Sequence, residues 1–459
     1  MPDLTRPDLS RIVKSYDVRG LVPQELDEGL ARAFGAAFVR VVGASGGRVV
    51  VGHDMRPSSP GLVAAFVEGA TAQGADVVAI GLASTDQLYF ASGSLGCPGA
   101  MFTASHNPAG YNGIKMCRAG AVPLGLDSGL GEVRRLVEEG VPAHDGPRGS
   151  VEERDLLGAY GEHLRSLVDL SGNRRLTVVV DAGNGMAGHT VPGVLTGLPL
   201  DVVPMYFELD GTFPNHEANP IEPHNLVDLQ AAVRREGADV GLAFDGDADR
   251  CFLVDERGEV VPPSALTALI AVRELVKAPG SAVIHNLITS RAVPEIVAEH
   301  GGTPVRERVG HSFIKARMAQ TDAVFGGEHS GHFYFRDFWR ADSGMLAALH
   351  ALAALGEQER PLSALVAQYD RYATSGEVNS TVADQRASME QVRTLLAGRP
   401  GVVVDELDGV TFTTPDWWVN VRPSGTEPLL RLNVEARDAA TMAALRDEVL
   451  AVIREEGAA

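Results

Sequence analysis

The sequence predicts three mixed α/β units of similar length, followed by a smaller α+β unit. Three observations carry that expectation. Apolar runs of strand length alternate with helix-length segments across short loops as far as residue 372, the pattern of a mostly parallel sheet covered on both faces. This strand–helix rhythm recurs three times, which points to an internal triplication. From residue 373 the texture changes to closely spaced short strands around two helices, as in a mainly antiparallel sheet. At 459 residues the chain is too long for one ordinary core, and the expected units are 1–150, 151–257, 258–372 and 373–459.

The first unit opens on Ile12-Val-Lys-Ser-Tyr-Asp-Val-Arg-Gly20, a short apolar run ending in a polar turn. Helices are expected over 27–42, 61–73 and near 87–91, with strands at 48–52, 76–81 and 98–102. The acidic, glycine-containing run 138–155 reads as a linker. In the second unit a helix over 155–168 precedes a strand at 176–181, then a glycine-rich turn, Ala182 to Gly188. Such a turn at a helix start can bind phosphate, but the spacing is neither G-x-G-x-x-G nor a Walker sequence, so it is read as a tight, close-packed turn. A helix over 226–235 and a strand at 239–244 follow.

The third unit reads as helix 265–276, strand 282–286, helix 292–300, strand 303–309, a helix from Gly310, strand 323–325 and helix 345–355. In the last unit, strands at 376–382, 401–405, 409–413, 417–422 and 429–435 surround helices 385–397 and 439–455.

Four polar clusters interrupt this pattern. Thr103-Ala-Ser-His-Asn-Pro108 follows a strand, and Asn107-Pro108 forces a turn because the residue before proline is pushed out of the helical region. Ser105 is thereby presented with His106 and, ten residues on, Lys115: a place for a nucleophile or a covalently held phosphate. Taken alone, Ser105 and Asn107 would read as turn or cap residues. Asp245-Gly-Asp-Ala-Asp-Arg250 puts three carboxylates at alternate positions, and three like charges so close call for a hard cation such as Mg2+. The spacing imitates a calcium EF-hand as far as Glu256 at the twelfth position. However, Arg250 stands where that loop needs glycine, and a strand follows instead of a helix. Gly327-Glu-His-Ser-Gly-His332 offers groups for reading vicinal sugar hydroxyls; its two histidines lack the further ligands of a metal site. Arg422-Pro-Ser-Gly-Thr-Glu-Pro428 has the make-up of a small anion trap, an arginine fork beside hydroxyls and backbone N–H groups. His311, after a glycine at a helix start, is either a structural residue or a proton carrier.

Composition narrows the classes. A net charge of −20 argues against nucleic acid or an anionic membrane as partner, so an anionic substrate must be held by local arginines. Three cysteines without paired spacing, Cys97, Cys117 and Cys251, read as core thiols in a reducing compartment. The N-terminus lacks a signal-peptide pattern and there is no 18-residue uncharged apolar run, so a cytoplasmic protein is expected.

The four clusters, in this order, resemble those of the α-D-phosphohexomutase family, most closely its bacterial phosphomannomutase/phosphoglucomutase branch, and the resemblance runs from about Lys14 to Glu435. It implies four domains around a central cleft, the last with a TATA-box-binding-protein-like fold. It implies a phosphoserine at Ser105, Mg2+ held by Ser105, Asp245, Asp247 and Asp249, and Arg250 and Lys115 near the phosphoserine. It places Tyr16 and Arg19 where they approach the sugar phosphate or support the catalytic loop, Glu328 and Ser330 on the sugar O3 and O4 with His332 assisting, and Arg422, Ser424, Gly425 and Thr426 on the non-reacting phosphate. Arg308 stands where many relatives carry a Thr/Lys-type pair. The implied reaction interconverts mannose 1- and 6-phosphates through a hexose 1,6-bisphosphate, which also activates the enzyme, with glucose phosphates as alternative substrates. A phosphoglucosamine mutase and a metal-dependent sugar phosphatase are more remote readings. The expected partner is a small hexose phosphate, and the expected state a monomer or weak homodimer.

Overall fold

In the strand Arg48–His53 three successive valines point alternately to opposite faces, and each face has its own core. Val49 and Val51 pack with Phe34, Phe38 and Phe66, whereas Val50 packs with Leu88 and Ala91. That is why the strand is apolar throughout: helices cover both sides. These features come from a computed structural model that describes residues 8–424 and 429–455. Among the described residues no helix is long and apolar enough to cross a membrane.

The first sheet is mixed. Asp76–Leu82, Arg48–His53 and Gly99–Phe102 run parallel, and then Tyr111–Arg118 and Asp17–Leu21 add antiparallel. Helices Glu28–Val42, Ser59–Ala72 and Leu130–Glu139 supply one face, and Thr85–Leu95 the other. The last of these is longer than expected at 87–91, because Ser84 caps it by accepting from Gln87 N. The run read as a linker is corrected in part: Val151–Glu153 is a strand that adds parallel to Asp76–Leu82, and Ser150 N donates to Asp76 Oδ1 at 2.7 Å. Its charged, exposed side chains suit an edge strand and conceal it from an apolar pattern.

The next two sheets repeat the scheme. Leu200–Met205, Leu176–Asp181 and Val240–Phe244 are parallel, then Cys251–Asp255 and Val260–Val261 turn antiparallel. Thr303–Glu307, Ala282–Asn286 and Phe325–Gly327 are parallel, then Phe333–Phe335 and Ala341–Asp342 turn antiparallel. These two units share one core, through which the helix Gly344–Gly356 passes with every residue buried. It is apolar on all sides, as such a helix must be.

The fourth sheet is antiparallel throughout, ordered Ala373–Thr381, Leu429–Ala436, Trp417–Pro423, Val410–Thr413 and Val403–Asp405. Helices Gln385–Leu396 and Ala439–Glu455 pack on it.

One topological fact organises the site. In each of the first three sheets, the last parallel strand passes through a short loop into its antiparallel neighbour. Those loops are 103–110, 245–250 and 328–332: three of the four clusters sit at the same place in three copies of one sheet.

Candidate active site

The 103–110 loop is a hairpin connection, closed by Asn107 N on Ala104 O and Tyr111 N on Pro108 O, both 3.0 Å. Ser105 is 3% exposed and has φ 48°, a left-handed conformation that costs a non-glycine residue free energy unless its surroundings impose it. Two arginines impose it. Arg56 Nη2 donates to the carbonyl oxygens of Ser105 (2.8 Å) and Asn107 (2.7 Å), and its Nη1 to those of Pro108 and Tyr111 (both 2.9 Å). Its Nε lies 3.1 Å from Asp54 Oδ2, and the residue is 1% exposed. Arg19 Nη1 donates to Asn107 Oδ1 at 2.5 Å while its Nε holds Asp17 Oδ2 at 2.7 Å. Sequence reasoning identified Arg19 and missed Arg56. The only signal was Asp54-Met-Arg56 after a strand end, which by itself is a charged turn.

Ser105 Oγ donates to Asp245 Oδ2 at 2.7 Å and lies 3.2 Å from His106 Nδ1. The acidic loop reaches it because Gly246 has no side chain: a Cβ there would collide with the Ser105 carbonyl oxygen. Asp245, Asp247 and Asp249 are each 0–1% exposed. Arg250 Nε sits 2.9 Å from Asp245 Oδ2, and its Nη2 donates to His106 Nδ1 at 2.6 Å. Lys115 Nζ spans Asp247 Oδ2 (2.7 Å) and Asp249 Oδ2 (2.6 Å), and Thr85 Oγ1 donates to Asp247 Oδ2 at 2.6 Å.

Burial pushes the Asp245 carboxyl up to about 7, with Arg250 opposing and the two neighbouring aspartates adding to it. Burial would raise Asp247 as well, but Lys115 outweighs it and holds that carboxyl well below its usual range. His106 is pushed down by burial and by Arg250. One oxygen of each remaining aspartate, Asp247 Oδ1 and Asp249 Oδ1, is buried with no hydrogen-bond partner among the described residues. The three carboxylates also bring oxygens within 4.8 Å of one another. Buried anionic oxygens without donors fit a hard cation. Glu256 is not part of this set; it accepts from Ser363 N and Oγ at 3.1 and 2.5 Å, which disposes of the EF-hand reading.

The third loop divides its residues. His332 faces the cleft, with Nδ1 2.9 Å from Asp342 Oδ2, and Asp342 Oδ1 lies 2.6 Å from Lys315 Nζ. Glu328 is buried: Tyr334 OH donates to its Oε1 at 2.5 Å, and Asn286 Nδ2 and Gly310 N approach Oε2 at 3.3 Å. His311 packs edge-on against Tyr16 at 3.9 Å between ring centroids, and its Nδ1 has no hydrogen-bond partner among the described residues. Burial and Lys315 hold its pKa well below the ordinary range.

A cavity of about 830 Å³ joins these parts. Of the expected residues, Tyr16, Arg19, Ser105, His106, Lys115, Asp249, Arg250, His311 and His332 line it. Glu328, Ser330, Arg308, Arg422 and Ser424 are not among its lining residues. The Arg308 guanidinium lies 4.0 Å over the Phe313 ring. Arg422 pairs with Glu377 at 2.7 Å, Ser424 N donates to Leu429 O at 2.8 Å, and Gly425 and Thr426 lie outside the described residues. A residue not anticipated from sequence, Arg431, does line the cavity.

A serine set against buried carboxylates in a cleft lined from four sheets has the groups that phosphoryl transfer requires. Four family models match in order: phosphoglucomutase/phosphomannomutase alpha/beta/alpha domains I (residues 10–139), II (158–258) and III (262–372), and the C-terminal domain (377–452). A phosphomannomutase of Escherichia coli is 40% identical over 455 residues, covering 96% of this chain and 98% of the relative. A Xanthomonas campestris protein named phosphohexose mutases is 41% identical, covering 96% and 98%. The crystal structure of a phosphoglucomutase/phosphomannomutase family protein from Burkholderia thailandensis has TM-score 0.87 at 32% identity, covering 97% of this chain and 98% of that one. The chain belongs to the α-D-phosphohexomutase family, in its bacterial branch. Several curated members about this similar over nearly the whole chain carry the name phosphomannomutase.

Proposed function

We propose that the protein is a phosphomannomutase, interconverting mannose 1-phosphate and mannose 6-phosphate through a phosphoserine at Ser105 and a hexose 1,6-bisphosphate that also serves as activator. The observation that carries the reading is the 2.7 Å approach of Ser105 Oγ to Asp245, inside a buried triad with two orphaned carboxylate oxygens.

The triad carboxylates and a phosphate oxygen on Ser105 would hold Mg2+, which when bound supplies positive charge to the phosphoryl group in transfer. Arg19 and Arg56 fix the loop so that Ser105 stays aimed at the cavity. The bond from Ser105 Oγ to phosphorus breaks as a bond from the sugar hydroxyl oxygen to phosphorus forms. The hydroxyl proton passes to His332, which faces the cavity and is oriented by Asp342 through Nδ1. His311 is the weaker candidate, since it lacks such a partner. Lys115 and Arg250 neutralise charge at the serine oxygen. The bisphosphate then presents its other phosphate and the steps reverse, while Arg422 and Arg431 hold the phosphate that is not reacting. Glu328 and Ser330 are assigned to the sugar hydroxyls on the family resemblance alone, as neither lines the cavity. The buried, unpaired cysteines support a reducing, cytoplasmic setting.

The Xanthomonas relative's name favours a second reading, a mutase of dual specificity. The test is incubation with Mg2+ and catalytic glucose 1,6-bisphosphate, with mannose 1-phosphate or glucose 1-phosphate, following both 6-phosphates and free phosphate. Isomerisation of mannose 1-phosphate supports the proposal, and the relative rates choose the sugar. Free phosphate without isomer would replace the mutase by a phosphatase.

A further inference from the structure

We propose that Glu377 limits the grip of the distal phosphate site, as a built-in carboxylate competitor for Arg422 and Arg431. The inference deepens the mutase reading above and rests on it.

Arg422 and Arg431 are directly opposed in the antiparallel pair Trp417–Pro423 and Leu429–Ala436, so two guanidiniums stand side by side on one face. Like charges in that relation repel unless an anion lies between them. Among the described residues the anion that meets them comes from a third strand. In Ala373–Thr381 the register shifts between Thr374 and Glu377, and Gly376 takes φ 64°; such a bulge re-aims the side chain that follows it. Glu377 Oε2 accepts from Arg422 Nη2 at 2.7 Å, and Oε1 lies 3.3 Å from Arg431 Nη1.

Among the described residues, one carboxylate against two guanidiniums leaves a net positive charge and unused donors. Arg422 is only 8% exposed, yet its Nε, like that of Arg431, is buried with no hydrogen-bond partner among the described residues. A phosphate has the oxygens to fill those positions, but it must do so beside Glu377 or by displacing it, and two anions in contact oppose one another. The mutase reaction needs this restraint. The bisphosphate must leave the arginines, turn over and return with its other phosphate in their grip, and a pair of arginines without a counter-charge would release it slowly. His329, on the hydroxyl-reading loop, lies near enough to feel the opposed charges of Glu377 and Arg422, so the site borders the loop that reads the sugar.

The full chain is compared with Glu377→Gln and with Glu377→Met, which removes the hydrogen-bonding head as well; thermal unfolding shows which variants fold. Calorimetric titration with inorganic phosphate should show binding about tenfold tighter in either variant, a gain that disappears when Arg422→Gln is added. With mannose 1-phosphate and catalytic glucose 1,6-bisphosphate, KM should fall and kcat fall with it. Unchanged or weaker phosphate binding in a folded variant overturns the inference, because Glu377 would then merely hold the arginines in place. If the wild-type protein isomerises neither mannose 1-phosphate nor glucose 1-phosphate, the mutase reading fails. If it does and phosphate binding does not tighten, the Glu377 inference fails alone.

Discussion

Ser105 and Lys115 are a hydroxyl and an ammonium held by the same acidic loop from two directions. Ser105→Ala removes the proposed phosphoryl carrier and should lower isomerisation by at least about a thousandfold, leaving no phosphate on the protein by mass spectrometry. Lys115→Met leaves Asp247 and Asp249 facing each other without the ammonium that bridges them. In EDTA it should cost about 3 kcal/mol of folding stability by denaturant unfolding, and Mg2+ should restore most of it. No response to Mg2+ would count against the triad as a cation site. At this scale the sequence was legible where chemistry is contiguous, as in Asp245-Gly-Asp-Ala-Asp249. Arg56 was not, because its chemistry lies in carbonyl groups 49 to 55 residues away.

The elements show why the loops converge. Each of the first three clusters sits where the parallel part of a sheet turns antiparallel, so triplication brings three loops to one cleft. The alternation of strands and helices was readable because apolar periodicity is local. The edge strand Val151–Glu153 was not, since its pairing is made by backbone and its side chains face water. Arg56→Lys tests the support under the catalytic loop. A lysine cannot serve four carbonyl groups and an aspartate at once. We expect kcat to fall by about 10- to 100-fold with KM little changed, and stability by about 2–4 kcal/mol. A fall in stability alone would make Arg56 a core residue and nothing more.

Across the whole molecule, one carboxylate ties three sheets together. Asp86, at the start of the helix Thr85–Leu95, accepts from Tyr160 OH at 2.7 Å and from Ser343 Oγ at 2.6 Å, with Ser84 as a third donor. Its neighbour Thr85 holds Asp247, and Ser343 follows Asp342, the partner of His332. Burial pushes the Asp86 carboxyl up to about 6, against its three hydroxyl donors. The folded protein therefore holds this proton more tightly than the unfolded chain. The resulting stability is fully present below about pH 4 and is lost as pH rises through about 6, a change of about 3 kcal/mol. Asp86→Asn cannot ionise, so its stability relative to wild type should rise by about that amount between pH 4 and 7. A constant difference would mean that Asp86 ionises freely in the folded protein.

The sequence by itself determined the repeated α/β plan, the antiparallel last unit and the four clusters, because propensity, periodicity and contiguous polar residues act over a few positions. Only the tertiary structure decided which distant groups complete them. It placed Arg56 beneath Ser105, Thr85 on Asp247, Asp342 behind His332, and Glu377 between two arginines. Ser343 meets Asp86 across 257 residues, and Thr85 meets Asp247 across 162. The physical reason is desolvation: a polar group buried by packing must find a partner among whatever the fold brings near, and chain separation does not enter that requirement.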